Sequence, residues 1–279
     1  MQNPPRRSLF WIASYPKSGN TWLRIFLANY LFGGKEPLPI NSVGKLGYAD
    51  GDARHYDRAN EAPYDRSDPR QTVALRDKFL RNISATGPKV AMIKTHNYNN
   101  KIADIALIPV SLTRGALYVA RHPGDVAVSF ASHYGLSIDD AIERMREPQA
   151  VVGGSKTTAL QFTSDWSTHV NSWAGAKKHN VHVVRYEDMY STPQETFGTA
   201  LKHLGVAVDA QKLEYAIKHA SFDELRKQEN TDGFSENTTH QPHFFRKGKA
   251  GGWRDTLSER QISNLRKTHG KAMRAFGYV

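Results

Sequence analysis

Cysteine does not occur among the 279 residues. Its absence excludes disulfides, thiolate-held metals and a cysteine nucleophile. A chain without cysteine fits a reducing compartment, and the expected location is cytoplasmic. Long apolar runs are missing too: none approaches the ~18 residues of a membrane span. The pattern G-x-x-x-x-G-K-[ST] does not occur, so there is no standard nucleoside-triphosphate loop. No run of aspartates marks a magnesium site. The 12 histidines are scattered without HExxH-type spacing, so no metal is expected. Acidic residues are the scarcer charge, 27 Asp and Glu against 38 Lys and Arg, for a formal net charge of +11. That balance suits an anionic partner (nucleic acid, an anionic membrane or a highly charged small molecule), or simply keeps a basic surface soluble. No linker composition interrupts the chain, so one large α/β domain is expected over 1–279. Arg6-Arg7-Ser8-Leu9-Phe10 superficially resembles a twin-arginine export signal. Its apolar run is too short and leads straight into the loop described next, so it reads as mature protein.

What is present is concentrated in residues 10–32, FWIASYPKSGNTWLRIFLANYLF. Residues 10–13 form a short apolar run of strand type, which Pro16 breaks. Lys17, Ser18, Gly19, Asn20 and Thr21 make a small-residue loop with one cation. Leu23, Phe26, Leu27, Tyr30 and Leu31 fall on one helical face, and Gly33-Gly34 ends the helix. A helix that starts directly after such a loop aims free N–H groups and a positive dipole end at whatever sits above it. That is an anion site. The plainer reading is an ordinary strand–loop–helix whose glycine only makes the turn.

Residues 35–70 show little periodicity and read as a long surface excursion, followed by a helix over 71–81. Residues 89–94 are a short buried strand ending in Thr95-His96, so His96 stands at a strand's carboxyl end, where open α/β sheets place their chemistry. Residues 116–120 form the third strand. It runs into Arg121 and a turn, then a helix over about 126–133 with Ser129 one turn in. Arg121 suits a phosphate through its two parallel N–H donors, or it pairs with Asp125 and shapes the turn. Helices are expected over 137–147 and 160–178, the second with Trp166, Val170 and Trp173 as core. Residues 181–184 read as a strand. Capping boxes at Thr192–Glu195 and Thr256–Glu259 start two further helices, and 209–220 and 222–227 add others. Residues 231–252 are irregular, and Arg246, Lys247 and Gly248 lie in a loop of cations and glycines. That loop covers an anion or is simply a solvated basic loop. Strands alternating with helices imply a parallel sheet covered on both faces.

Three separated segments therefore offer cations: Lys17, Arg121, and Arg246 with Lys247. One anion does not need all of them, whereas two phosphates at opposite ends of a nucleotide do. Taken in order, these residues resemble the soluble sulfotransferases that use 3'-phosphoadenosine 5'-phosphosulfate (PAPS). Tyr15-Pro16-Lys17-Ser18-Gly19-Asn20-Thr21-Trp22 is similar to that family's 5'-phosphosulfate loop. Tyr118-Val119-Ala120-Arg121-His122-Pro123, with Asp125, Val128 and Ser129, is similar to its 3'-phosphate motif. Arg246-Lys247-Gly248 through Gly251 and Trp253 is similar to its late 3'-phosphate loop. Lys94-Thr95-His96 sits where the family has its catalytic histidine. Residues 185–189 and Ser221-Phe222 match weaker adenine-side markers.

The resemblance implies a three-layer α/β sandwich around a central parallel sheet, like the P-loop nucleotide kinases. It also implies a single sulfotransferase domain of bacterial type, and transfer to a hydroxyl or amine without a metal. Lys17 and the N–H groups of Ser18, Gly19, Asn20 and Thr21 would hold the phosphosulfate. Arg121, Ser129, Arg246, Lys247 and Gly248 would hold the 3'-phosphate. Trp22 and Phe222 would sandwich adenine beside Tyr186. His96 would be the general base, with Lys17 and Lys94 stabilising developing charge. The acceptor would be a small or glycan-like molecule, with no nucleic-acid partner; oligomeric state is open. A P-loop-type kinase and a noncatalytic polyanion binder are the rival readings. Three departures stand out: Asn97-Tyr98-Asn99 replaces a common Leu-Pro, Gly252 stands where Asp is common, and the C-terminal Thr-Val dimer motif is not visible after Trp253.

Overall fold

The strand at the heart of the sheet grows from an unbroken apolar run. β1 (Leu9–Ser14) is buried at all six positions, as a strand covered on both faces must be. The structure, a computed structural model, describes residues 7–60, 62–246 and 248–279. After β1 come α1 (Asn20–Phe32), β2 (Tyr48–Ala49), α2 (Ala53–Ala59), α3 (Pro69–Thr86) and β3 (Ala91–Thr95). A small hairpin of β4 (Lys101–Ile102) and β5 (Ile105–Ala106) precedes β6 (Thr113–Ala120), α4 (Pro123–Tyr134) and α5 (Ile138–Arg146). A second hairpin, β7 (Val151–Val152) with β8 (Gln161–Phe162), leads into α6 (Trp166–Ala174), β9 (Val181–Arg185) and α7 (Tyr186–Ser191). The chain ends with α8 (Pro193–Leu204), α9 (Ala210–His219), α10 (Phe222–Asp232) and α11 (Glu259–Ala275). The central sheet has the order β2-β3-β1-β6-β9. β1 pairs parallel with β3, Ile12 beside Lys94 and Ala13 beside Thr95, and β2 pairs parallel with β3. This is the α/β sandwich that the alternation of elements implies.

The chain forms two compact units. The first takes the residues up to Tyr15 with Gly47–Tyr118 and Glu147–Val183; the second takes Pro16–Leu46, Val119–Arg146 and Val184–Val279. The first unit's core holds Trp11, Trp166, Trp173, Tyr56 and Tyr118, all fully buried. Each such tryptophan removes roughly 150–250 Å² from water, worth a few kcal/mol at about 25 cal/mol per Å². The indoles stay satisfied where they meet polar neighbours: Trp11 donates to Thr113 Oγ1 at 2.9 Å and Trp173 to the Asn97 carbonyl at 3.0 Å. A wholly buried ion pair, Arg76 with Asp50 at 2.7 Å, sits in the same unit. In the second unit, Phe26 of α1 stacks on Phe197 of α8 at 4.0 Å between centroids.

Five expectations need correcting. The stretch 35–70 is not an irregular excursion: it holds a 3-10 turn over Ile40–Leu46, β2 and α2. Its start signals were short, with Asp52 capping α2 through the Arg54 N–H and Asp68 capping α3 ahead of Pro69. The long helix over 160–178 is only α6, because Gln161 and Phe162 pair as a strand with Val152 and Val151. The box at Thr192 is not made: the Thr192 hydroxyl donates to the Asp188 carbonyl instead, and Pro193 alone supplies the start signal. The final helix is capped two residues later than expected, by a reciprocal box of Ser258 and Gln261. α1 also buries most of its circumference, including Arg24 and Asn29, rather than one face.

Candidate active site

In the first unit the site is built around His96, immediately after β3. Its Nδ1 lies 2.9 Å from the Ser14 carbonyl oxygen and 3.2 Å from Ser14 Oγ. A carbonyl oxygen only accepts, so Nδ1 carries the hydrogen and the neutral ring keeps its lone pair on Nε2. The His96 backbone N–H donates to Gln161 Oε1 at 2.8 Å. Its carbonyl accepts from His169 Nε2 at 3.1 Å. Asn97 behind it is fully buried and saturated. Its side-chain amide donates to Asp50 Oδ2 at 2.9 Å, and its Oδ1 accepts from the Phe162 N–H at 2.7 Å. Asp50 is the partner of Arg76. The Asn at 97, a departure from the family's usual residue, thus joins the segment bearing His96 to the buried Asp50–Arg76 pair in the core. His169 itself is fully buried, and burial depresses its pKa to about 3, so it is neutral at pH 7. Lys94 lies in β3 two residues before His96, beside Ile12 and Ala49 in the sheet register.

The second unit gathers the cation-bearing loops. Lys17 takes a left-handed backbone, φ 66°, and Gly19 follows at φ 104° as the N-cap of α1. Gly19 offers no side-chain cap and the first turn of α1 has no acidic residue of its own. Ser18 Oγ is buried with no partner among the described residues. The Lys17 ammonium rests 4.1 Å over the Phe244 ring. Arg121, at the tip of β6, donates to the carbonyls of Lys17 and Lys249, both at 3.3 Å, and lies 3.9 Å over the Tyr186 ring. Asp125 is not its ion-pair partner. That carboxylate accepts from the N–H groups of Gly251 (2.7 Å) and Trp253 (3.0 Å), tying the late glycine loop to α4. A Cβ at Gly252 would stand 3.9 Å from Asp125 Oδ1, an ordinary contact, and nothing in the structure explains the glycine there.

Arg246 reaches the Val128 carbonyl, one residue before Ser129, at 3.4 Å. Burial, and then the charge of Arg121, lower its pKa. Neither guanidinium group is in an ion pair among the described residues. Gly248 adopts φ 59°, and a Cβ there would come 2.2 Å from the Phe222 ring. Any side chain at 248 would therefore displace Phe222. Trp22 donates to the Ala220 carbonyl at 2.8 Å, two residues before Phe222, and meets Tyr186 edge-on at 5.2 Å. Lys17, Ser18, Gly19, Asn20, Thr21, Trp22, Arg121, Ser129, Tyr186, Phe222, Arg246 and Gly248 thus all belong to this unit, and Lys94 and His96 to the other. Lys247 lies outside the described residues.

Sequence reasoning missed Ser14, Gln161 and His169, and missed Arg24 with Glu236. Arg24, one turn after Thr21, pairs with Glu236 at 2.5 Å, and the Thr21 hydroxyl donates to the same carboxylate at 2.8 Å. Side chains lean toward a helix N-terminus, so a cation at 24 belongs to the anion loop; the spacing alone was the available signal. His169 shares the buried helical face of Trp166, Val170 and Trp173, and a lone imidazole on such a face was the clue to a polar partner inside.

Among the described residues no cluster of His, Asp and Glu is arranged to hold a metal ion, and no helix is long and apolar enough to cross a membrane. The sulfotransferase-domain family model matches residues 7–277. Sulfotransferase 1A1 of Canis lupus familiaris is 24% identical over 296 residues, covering 95% of this chain and 83% of that protein. Sulfotransferase 1A1 of Bos taurus is 25% identical, covering 94% and 82%. Among solved structures, mouse sulfotransferase SULT7A1 complexed with PAP has a TM-score of 0.63 at 21% identity, covering 96% of this chain and 85% of that one. Retinol dehydratase in complex with androsterone and inactive cofactor PAP also has a TM-score of 0.63, at 20% identity, covering 98% and 82%. The two structures share the fold.

Proposed function

The chain belongs to the sulfotransferase family, and on that premise we propose that it moves a sulfuryl group from PAPS to a hydroxyl or amine of a small acceptor by in-line transfer. The observation that carries this reading is that Arg121 and Arg246 bond only to backbone carbonyls, those of Lys17 and Lys249 for the first and Val128 for the second, with no carboxylate partner among the described residues. A nucleotide with a 3'-phosphate supplies the anion they lack. The fit extends to the loop before α1, where Ser18 Oγ and Arg121 Nε are buried without partners and Gly19 leaves room only for backbone beside Tyr186. PAP in complex with the two related structures is the product such a transfer leaves.

PAPS brings the sulfuryl group and its leaving phosphate; this chain's residues hold and deprotonate. Lys17 and the N–H groups of Ser18, Gly19, Asn20 and Thr21 bind the phosphosulfate end. Arg121, Ser129, Arg246, Lys247 and Gly248 bind the 3'-phosphate, and Trp22, Phe222 and Tyr186 flank the base. His96 Nε2 takes the acceptor's proton as the acceptor's bond to sulfur forms and the bond from sulfur to the 5'-phosphate oxygen breaks. Lys17 and Lys94 offset charge on the leaving and transferring oxygens. We likewise propose a cytoplasmic, bacterial-type enzyme with a small or glycan-like acceptor and a fold akin to the P-loop nucleotide kinases. A single domain is supported by the reach of the family match over 7–277.

Titration calorimetry with PAP and with adenosine 5'-phosphate tests the carrying observation. Arg121→Ala is expected to weaken PAP about 10- to 100-fold, the worth of a charge-assisted contact, and adenosine 5'-phosphate far less. An equal loss for both nucleotides removes the 3'-phosphate assignment, and no PAP binding by the unaltered protein removes the reading as a whole.

A further inference from the structure

We propose that His169 and Gln161 are positioning residues that clamp the backbone of His96 and so hold its imidazole with the hydrogen on Nδ1. The inference rests on the reading of His96 as the general base. Its starting point is a buried group that the transfer itself does not use. His169 is wholly buried on the face of α6 that also carries Trp166, Val170 and Trp173. A phenylalanine fills such a place without a polar atom to satisfy; a buried imidazole is tolerated only when its nitrogens are bonded.

Here both are, and the proton order is unique. His169 Nε2 faces the His96 carbonyl oxygen at 3.1 Å. A carbonyl accepts, so Nε2 is the protonated nitrogen. Nδ1 must then accept, and its partner is the Tyr118 hydroxyl at 2.9 Å. Tyr118 is itself fully buried in β6. The chain of donors runs from Tyr118 through His169 to His96. On its other side, the His96 N–H donates to Gln161 Oε1 at 2.8 Å. Gln161 is itself held: it pairs with Val152 across the small hairpin, and its amide lies so near the Gly51 backbone that a Cβ there would meet Nε2 at 2.5 Å. Both polar groups of the His96 peptide are therefore fixed by side chains that are themselves fixed. The 2.9 Å contact from His96 Nδ1 to the Ser14 carbonyl is the consequence. A displacement of the His96 backbone lengthens it, and with it goes the preference for a lone pair on Nε2. Misplacement of about 1 Å in a reacting group is worth roughly 100-fold in rate.

The test uses the full chain with ¹⁵N-labelled histidine. Long-range ¹H–¹⁵N spectra at neutral pH report which imidazole nitrogen of His96 carries hydrogen, and a His96→Ala sample identifies its signal. In the unaltered protein His96 is expected as the Nδ1–H form. In His169→Phe the signal is expected to become a mixture of tautomers. Turnover with labelled PAPS and the best of a panel of phenols, alcohols and amines is expected to fall about 10- to 100-fold, while PAP affinity stays within about twofold. His169→Gln, whose amide nitrogen reaches the same position, is expected to restore much of both. If His169→Phe does not fold, Gln161→Leu tests the other jaw of the clamp with the same readouts. An unchanged His96 tautomer in a folded His169→Phe or Gln161→Leu protein overturns the proposal, as does failure of His169→Gln to recover what His169→Phe loses. Full turnover in His96→Ala refutes the underlying reading of the base instead.

Discussion

The two units differ in what their buried polar groups face. Around His96 most of them face one another: Asn97, Asp50, Arg76, Gln161 and His169 are buried and bonded in sequence, although Asp50 Oδ1 and Arg76 Nε have no partner among the described residues. In the second unit Glu236 answers Arg24, but Arg121 and Arg246 bond only to backbone carbonyls and have no carboxylate partner among the described residues. There too, Lys17 sits over an aromatic face, and Ser18 Oγ is buried without a partner among the described residues. Lys17, Gly19 and Gly248 hold left-handed backbone in the same unit. The contrast separates a group that must be ready before the ligand arrives from a surface that the ligand completes. A general base needs its tautomer and direction set in advance. An anion site gains by leaving its donors short of partners, because the anion then relieves the shortage.

The largest expected effect breaks the comparison on the side of the base. His96→Ala should lower turnover by about 10²–10⁴-fold while calorimetry finds PAP affinity unchanged; near-normal turnover would falsify its role. Asp50→Ala comes next. It leaves Arg76 buried without its counter-charge and takes a partner from Asn97, so chemical denaturation should show a loss of about 3–5 kcal/mol. A loss below about 1 kcal/mol would mean that water or a rearranged neighbour satisfies Arg76, and that the first unit is less closed than described. The smallest effect sharpens the contrast on the nucleotide side. Glu236 is the one carboxylate ion-paired with Arg24 and bonded to Thr21 at the anion loop, where it competes with an incoming phosphosulfate. Glu236→Gln should therefore tighten PAP a few-fold, about 0.5–1 kcal/mol. Weaker binding would show instead that the pair organises the loop for the ligand.

Much of this was legible in the chain, and for a definite reason. β1, the loop at Lys17–Thr21 and α1 are continuous in sequence, so their apolar period, proline break and glycine cap can be read locally. Arg121 at a strand tip and His96 just past β3 follow from the same local grammar. The stretch 35–70 was misread because its elements are short and their caps, Asp52 and Asp68, precede little periodicity. Residues 160–178 looked helical throughout because Gln161 and Phe162 pair across a hairpin that no local pattern announces. Asn97 was visible as a departure, but its meaning depended on Asp50, which lies 47 residues away.

The sequence by itself determined the class of fold, the strand-end place of His96 and the family, and it raised the expectation of an anion site in the loop before α1. Those depend on backbone preferences and residue types within a few positions of one another. Tertiary structure alone decided which nitrogen of His96 keeps its lone pair, which carboxylate answers which donor, and that Arg121 and Arg246 have no carboxylate partner among the described residues. Hydrogen bonds and ion pairs are short-range and directional, so their partners are set by what the fold brings within about 3 Å, and no local pattern in the chain encodes that distance.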